Sequence, residues 1–295
     1  MKSCISHGSS LVAACLIGLP IFVNAAQAED LTGTLKKIKD SGAITLGTRE
    51  SSVPFSYLDA QHNSVGYSVD LCLRVVERVK QTLGLPVLEV HYVTVAPAAR
   101  IPLLTNGTID LECSTTSITL ARMRQVAFSV PTFVVGARIL AETASGVKDW
   151  DDLRGRVIGV AQGTNGEKTV KALAGTPAFA GTRVLTFADH GAGLLSLQTG
   201  RIDGYVTDDI VLAGLRSKAR DKDQLVVTGK PLTFETFAIG LRRGDPDFQL
   251  VVDGALADLF RSPEIDVVYE KWFSPLGVPM SDANTMMYKI GGILP

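Results

Sequence analysis

Thr115 and Asp208 stand at matching distances from a repeated segment, and their side chains are chemically complementary. Leu104-Thr105-Asn106-Gly107-Thr108-Ile109-Asp110 returns 93 residues later as Leu197-Gln198-Thr199-Gly200-Arg201-Ile202-Asp203, and each of the two residues lies five positions beyond the aspartate. One offers a hydroxyl and the other a carboxylate. In each copy a helix ends at the glycine and the Ile-Asp pair opens a strand, so equivalent strand ends present polar groups toward one another across a cleft. Two half-molecules of similar design are the implied architecture.

Beyond Thr115 the chain carries Ser117 and Arg122. A guanidinium is a rigid fork that matches a carboxylate with two parallel hydrogen bonds, and hydroxyls five and seven residues upstream complete an anion shell. The plainer reading of an arginine before an apolar strand is a solvated surface residue. Asp208 likewise has a plainer reading as a helix N-cap ahead of Ile210–Leu215, a role that the adjacent Asp209 would also fill.

The elements that must hold these groups alternate along the chain. Leu31–Ser41 reads as an amphipathic helix stopped by Gly42, Ala43–Gly47 as a strand, about Ser68 to Leu83 as a helix with Asp70 in its first turn, and Leu88–Val93 as a strand. Ala98–Leu104 is a helix and Ile109–Cys113 a third strand. A second alternation begins near Trp150, with strands at Val157–Val160, Val184–Phe187 and Ile202–Thr207 and helices at Glu167–Leu173, Gly191–Gln198 and from Asp208. This pattern requires a mostly parallel sheet with crossover helices in each half. The apolar stretches Thr132–Ala141 and Thr233–Arg242 read as two crossings between the halves, which permits hinge closure. Residues 29–137 and 233–295 then form a discontinuous first lobe and 138–232 the second. Ser281–Pro295 shows little periodicity and is expected to be a poorly ordered tail or a surface strap.

The amino terminus has the form of a secretory signal, with Lys2, an apolar run of 13 residues from Leu11 to Val23 and the cleavage pattern Ala26-Gln27-Ala28. Residues 1–28 are expected to be removed. The run falls short of the roughly 20 residues of a spanning helix. Val12-Ala13-Ala14-Cys15 is a rival signal that resembles a lipobox and would leave a lipidated Cys15. Loss of one basic residue with the signal takes the net charge from −1 to −2, so no basic surplus is available for nucleic acid. Cys72 and Cys113 survive processing and are expected to be two small buried hydrophobes, a single bridge being the alternative. His7, His62, His91 and His190 show no metal-ligand spacing, and neither a metal nor a cofactor is expected.

Arg49-Glu-Ser-Ser-Val-Pro-Phe-Ser-Tyr57, Arg100-Ile-Pro-Leu-Leu-Thr-Asn-Gly107, Ser117-Ile-Thr-Leu-Ala-Arg122, Asp189-His190-Gly191 and Asp208-Asp209 together resemble family 3 of the periplasmic solute-binding proteins of amino-acid ABC importers. The glutamate/aspartate-binding branch is the most similar. The resemblance implies the type II periplasmic-binding-protein fold, two α/β lobes joined by a two-strand hinge with a ligand cleft between them. It makes Arg122 the clamp on a ligand α-carboxylate with Thr115 and Ser117 on the same loop, and Asp208 the partner of the ligand ammonium. Thr164 and Asn165, the latter where the family usually has Thr, begin a helix whose amide groups suit the same carboxylate.

Arg49 and Arg100 also map onto the cleft. Two further buried cations without partners are costly, so the ligand should bring extra negative charge: glutamate or aspartate, with His190 donating to its side-chain carboxylate. Its protonation state is not legible in the sequence. The stretch Ala96-Pro97-Ala98-Ala99 departs from the Ser-Gln-Asn run of that branch, which removes a supporting hydroxyl and loosens discrimination among dicarboxylates. A monomer that delivers its ligand to a membrane permease from the periplasm is the expected role. The alternatives are a binder of another dicarboxylate or amino acid, or a dehydratase of the cyclohexadienyl type on the same fold; against the enzyme, Asp208 beside several cations should stay ionised.

Overall fold

In the computed structural model, which describes Met1, Ser3 and residues 31–295, two sheets carry the architecture. The first has five strands in the order Glu89–Thr94, Ala43–Thr48, Leu111–Glu112, Gly240–Arg242 and Val126–Phe128; the first three run parallel and Gly240–Arg242 is antiparallel to its neighbours. The second is six-stranded and runs Arg183–Phe187, Val157–Ala161, Gly204–Asp208, Phe133–Glu142 and Leu225–Thr228, with Phe234–Phe237 pairing the start of the long strand. The signal-peptide and lipobox readings lie outside the described residues. No described helix is long and apolar enough to cross a membrane.

The repeat does the same job twice. Gly107 and Gly200 both take the left-handed backbone that stops a helix, at φ 78° and 66°. Each following aspartate then clasps the neighbouring strand: Asp110 Oδ2 accepts from the Thr45 amide at 3.0 Å, and Asp203 Oδ2 accepts from the Val157 amide at 2.8 Å. The main chains match as well, since the amides of Asp110 and Asp203 donate to the carbonyls of Thr45 and Val157. A buried carboxylate that receives a strand-edge amide fixes where the next strand starts, and with it the residue five positions on.

Helix Tyr67–Thr82 shows why one face is apolar. Val69, Cys72, Val76 and Val79 recur at helical spacing and are buried with Leu71 and Val75 against the first sheet. Cys72 meets Cys113 there, with Cα atoms 6.1 Å apart, and the two form a disulfide. The expectation of two unpaired thiols is thereby corrected: an inward helix position and an inward strand position converge on one point of the core, which spacing in sequence does not reveal.

The two crossings are real strands, Phe133–Glu142 and Phe234–Phe237, antiparallel with Phe133 opposite Phe237. Both contribute a ring to one aromatic cluster. Phe55 packs edge-on against Phe133 at 5.0 Å and Phe237 at 5.2 Å, and Phe133 stacks on Phe273 at 4.8 Å. The C-terminal segment is a second correction. Asp282–Gly291 is a helix capped by Ser281, not a loose tail; Asn284 Oδ1 accepts from the Val134 amide on the crossing strand at 2.8 Å, and Tyr288 meets Tyr67 hydroxyl to hydroxyl at 2.7 Å. Ala283, Met286, Met287 and Ile290 recur in it at helical spacing, a period that lay in the sequence although Met286 and Ile290 stay exposed.

Candidate functional site

All the sequence-predicted site residues lie beyond the carboxyl ends of strands, where a parallel sheet leaves loops free to face a ligand. Arg49 follows Ala43–Thr48, Arg100 opens a helix after Glu89–Thr94, and Thr115 and Ser117 follow Leu111–Glu112. In the other half Thr164 and Asn165 follow Val157–Ala161, His190 follows Arg183–Phe187, and Asp208 ends Gly204–Asp208.

Arg49 and Arg100 are almost wholly enclosed, at 1% and 2% exposure. Their terminal groups differ in company. Arg100 donates to Thr116 Oγ1 at 2.9 Å, to the Thr115 carbonyl at 3.3 Å and to the Gly163 carbonyl at 3.3 Å. Arg49 has neither terminal nitrogen hydrogen-bonded, and Nε of Arg100 is also without a partner. Arg122 donates to the carbonyls of Ser117 at 2.8 Å and Gly163 at 3.2 Å. Burial, followed by the repulsion of Arg100, holds the guanidinium groups of Arg49 and Arg122 down to about 10. Burial also lowers that of Arg100.

The predicted hydroxyl shell is assembled differently from expectation. Thr115 and Ser117 serve the arginines through their carbonyls, while the hydroxyl that reaches a guanidinium belongs to Thr116. Thr164 caps its helix, accepting from the Glu167 amide at 3.0 Å and donating to the Ala161 carbonyl at 2.7 Å. Asn165 Nδ2 donates to Glu235 Oε1 at 2.7 Å.

Two carboxylates escaped the sequence reading. Glu112, fully buried, accepts from Ser114 Oγ and, at 2.5 Å, from Thr116 Oγ1, and its charge supports all three arginines. Glu235 sits on the crossing strand Phe234–Phe237 and favours the charged forms of Arg100 and Arg122. The premise of two unpaired extra cations is therefore corrected: Arg100 is hydrogen-bonded and lies near Glu112, and only Arg49 presents an open fork. A glutamate inside the apolar strand Leu111-Glu112-Cys113, and another between Phe234 and Phe237, were the available signals.

Asp208 is a further correction. It takes the N-cap position of helix Asp209–Lys218 but its side chain makes no capping bond; Asp209 instead accepts from the Ile210 amide at 2.8 Å. Burial, then the charges of Glu235 and Asp209, push the Asp208 carboxyl up to about 8 against the smaller opposing pull of Arg100. It is not held ionised by the arginines, because burial and the two neighbouring carboxylates outweigh their pull. His190, 2% exposed, is hydrogen-bonded through Nδ1 to Tyr205 Oη at 2.9 Å. Burial and then Arg49 and Arg100 press it down to about 3, so it is neutral.

The halves touch around this cluster. Gly163 supplies one carbonyl to both Arg100 and Arg122 across the cleft, and a Cβ there would lie 2.6 Å from Ala98 Cα. The apolar run Ala96–Ala99 is thus where the Gly163 loop packs against the other half. On another flank Ser51 Oγ accepts from the Gly191 amide at 3.1 Å. Among the described residues no group of three His, Cys, Asp or Glu is placed to hold a metal ion.

This geometry has relatives. An L-glutamate/L-aspartate-binding protein of Pseudomonas aeruginosa is 41% identical over 93% of this chain and 92% of its own. A glutamate/aspartate import solute-binding protein of Escherichia coli is 38% identical over 88% of this chain and 87% of its own. Among solved structures, a mutant of ArgBP from T. maritima superposes with a TM-score of 0.73 at 30% identity, covering 82% of this chain and 100% of the other. An ancestral amino-acid-binding protein, a precursor of cyclohexadienyl dehydratase, reaches 0.71 at 28% identity over 82% of this chain and 100% of its own. These relatives share the type II periplasmic-binding-protein fold. The bacterial extracellular solute-binding proteins, family 3, match residues 44–275, and it is to this family of binding proteins, rather than to an enzyme family, that the chain belongs.

Proposed function

We propose that the protein captures glutamate or aspartate in the cleft between residues 29–137 with 233–295 and residues 138–232, and hands it to the membrane permease of an ABC importer. The observation that carries this reading is Arg49: a buried guanidinium with two unpartnered terminal nitrogens requires an anion beyond the α-carboxylate that every amino acid brings. Arg122 clamps the α-carboxylate with the amides at Thr164 and Asn165, and Asp208 receives the ammonium. Thr115, Ser117 and Thr116 hold the arginines, and neutral His190 donates from its ring to the side-chain carboxylate beside Arg100. The names of relatives at 38–41% identity support the ligand class and the importer. The family's extracellular role supports a periplasmic location. Contacts such as those of Gly163, which only both halves together make, stabilise the closed form.

Calorimetric titration against glutamate, aspartate, glutamine and arginine tests the proposal. The acids should bind tightest; tighter binding of glutamine or arginine than of either acid overturns it.

A further inference from the structure

We propose that Glu235 is a specificity-determining residue: it makes the cleft reject dicarboxylates that lack an amino group. This rests on the acidic-amino-acid reading above and names what that site refuses.

Glu235 belongs to neither sheet's strand ends, where the expected ligand contacts lie, but to the crossing strand itself. Its carboxylate is held from one side only. Oε1 accepts from Asn165 Nδ2 at 2.7 Å and from Thr233 Oγ1 at 2.9 Å, whereas Oε2 is buried with no hydrogen-bond partner. The two bonds on Oε1 fix the plane of the group, so Oε2 is a positioned acceptor awaiting a donor. Charged groups face it from several elements: Asp208 on strand Gly204–Asp208, Arg100 on helix Arg100–Thr105 and Arg122 on helix Leu120–Met123, each of which feels the Glu235 charge. Asp209 lies next along, and its charge too bears on Asp208.

An ammonium has three N–H donors and no acceptor. Placed at Asp208 it can spend one on that carboxylate and another on Glu235 Oε2, and its charge compensates both. Glutarate or succinate would satisfy the arginines equally well. At the position of the amino group, however, each offers only hydrogen on carbon, which leaves the buried Glu235 Oε2 without a donor and gives Asp208 no cation to ionise against. The arginine cluster alone selects for two carboxylates; Glu235 adds the requirement for nitrogen. Asn165 supplies the amide that orients it.

The test is calorimetric titration of the unmodified protein, Glu235→Gln and Glu235→Asp with L-glutamate and with glutarate, each variant checked for cooperative thermal unfolding. The unmodified protein should bind glutamate and show no glutarate heat. In Glu235→Gln the glutamate affinity should fall about tenfold while glutarate binding appears, and Glu235→Asp, which keeps the charge, should restore the preference. Glu235→Ala gives the same readout if the glutamine variant does not fold. A merely structural role would weaken both ligands together. Glutarate binding by the unmodified protein, or a folded Glu235→Gln that still shows no glutarate heat, overturns this inference alone, whereas failure of the unmodified protein to bind glutamate overturns the function on which it rests.

Discussion

Arg49 and Arg122 bring the same group to the cleft with different donors left to give. Arg122 spends two of its five N–H donors on carbonyls and keeps the rest for a carboxylate common to every amino acid, while Arg49 keeps both terminal nitrogens free. Arg122→Ala should therefore abolish binding of all amino acids, and Arg49→Ala should lower affinity for glutamate by about tenfold or more with less effect on glutamine, both read by calorimetry. Equal losses for the two ligands in Arg49→Ala would contradict the division. A second expectation concerns protons. Asp208, raised to about 8, is protonated in the empty protein at neutral pH, and an ammonium favours its ionised form. Binding at about pH 6.5 should release about one proton, and affinity should rise with pH until about 8 and then level off. For the empty protein the sign is opposite: the contribution of this group to stability is lost as pH rises through the folded value. Titration in buffers of differing ionisation enthalpy measures the release, and His190→Gln should leave it unchanged because that ring is already neutral. Arg49, Arg100 and Arg122 were singled out by motifs that resemble family 3, and Asp208 also by its place in the repeat. Glu112 and Glu235 were not, because each sits inside a strand whose neighbours read as core.

At the scale of elements, the Cys72–Cys113 bridge ties helix Tyr67–Thr82 to the strand end that leads into Ser114, Thr115 and Thr116. It closes a loop with a sequence separation of 41, and replacing both cysteines by alanine should cost roughly 2–4 kcal/mol in urea unfolding. The glutamate affinity should fall as well, because the next three residues hold Arg100 and Glu112 in place. Unfolding midpoints that coincide with and without the bridge would remove this role. Alternating apolar runs made the strands and helices readable almost to their ends, as Phe133–Glu142 against the expected Thr132–Ala141 illustrates. What periodicity missed was the partner of each face. The helix Asp282–Gly291 is anchored by Asn284 and Tyr288, a polar bond and a hydroxyl pair, while Met286 and Ile290 of its apolar period stay exposed, so the pattern does not announce what the helix packs on. The small sheet of Ser51–Ser52, Ser56–Leu58 and Ser64–Val65 was invisible for another reason: its strands are two or three residues long.

At the scale of the whole molecule, closure depends on two places where backbone meets backbone. Gly163 approaches Ala98 with φ at 76°, a conformation that a Cβ disfavours in any case, and a side chain at Gly214 would run into the Val53 carbonyl oxygen. Gly214→Ala should hold the halves apart. The expected outcome is a ligand affinity at least about tenfold weaker, with a radius of gyration from small-angle scattering that fails to contract when glutamate is added. Contraction equal to that of the unmodified protein would show that this contact does not gate the motion. The two crossing strands each place one ring, Phe133 and Phe237, against Phe55 in a shared aromatic cluster. The twin clasps of Asp110 and Asp203 then acquire a meaning for how such a molecule can change its diet. Each fastens its strand start five residues upstream of Thr115 or Asp208, so the fastening and the proposed recognition are written at separate addresses. Side chains around the proposed ligand, Arg49 and Glu235 among them, can then change while the chassis that carries them stays as it was.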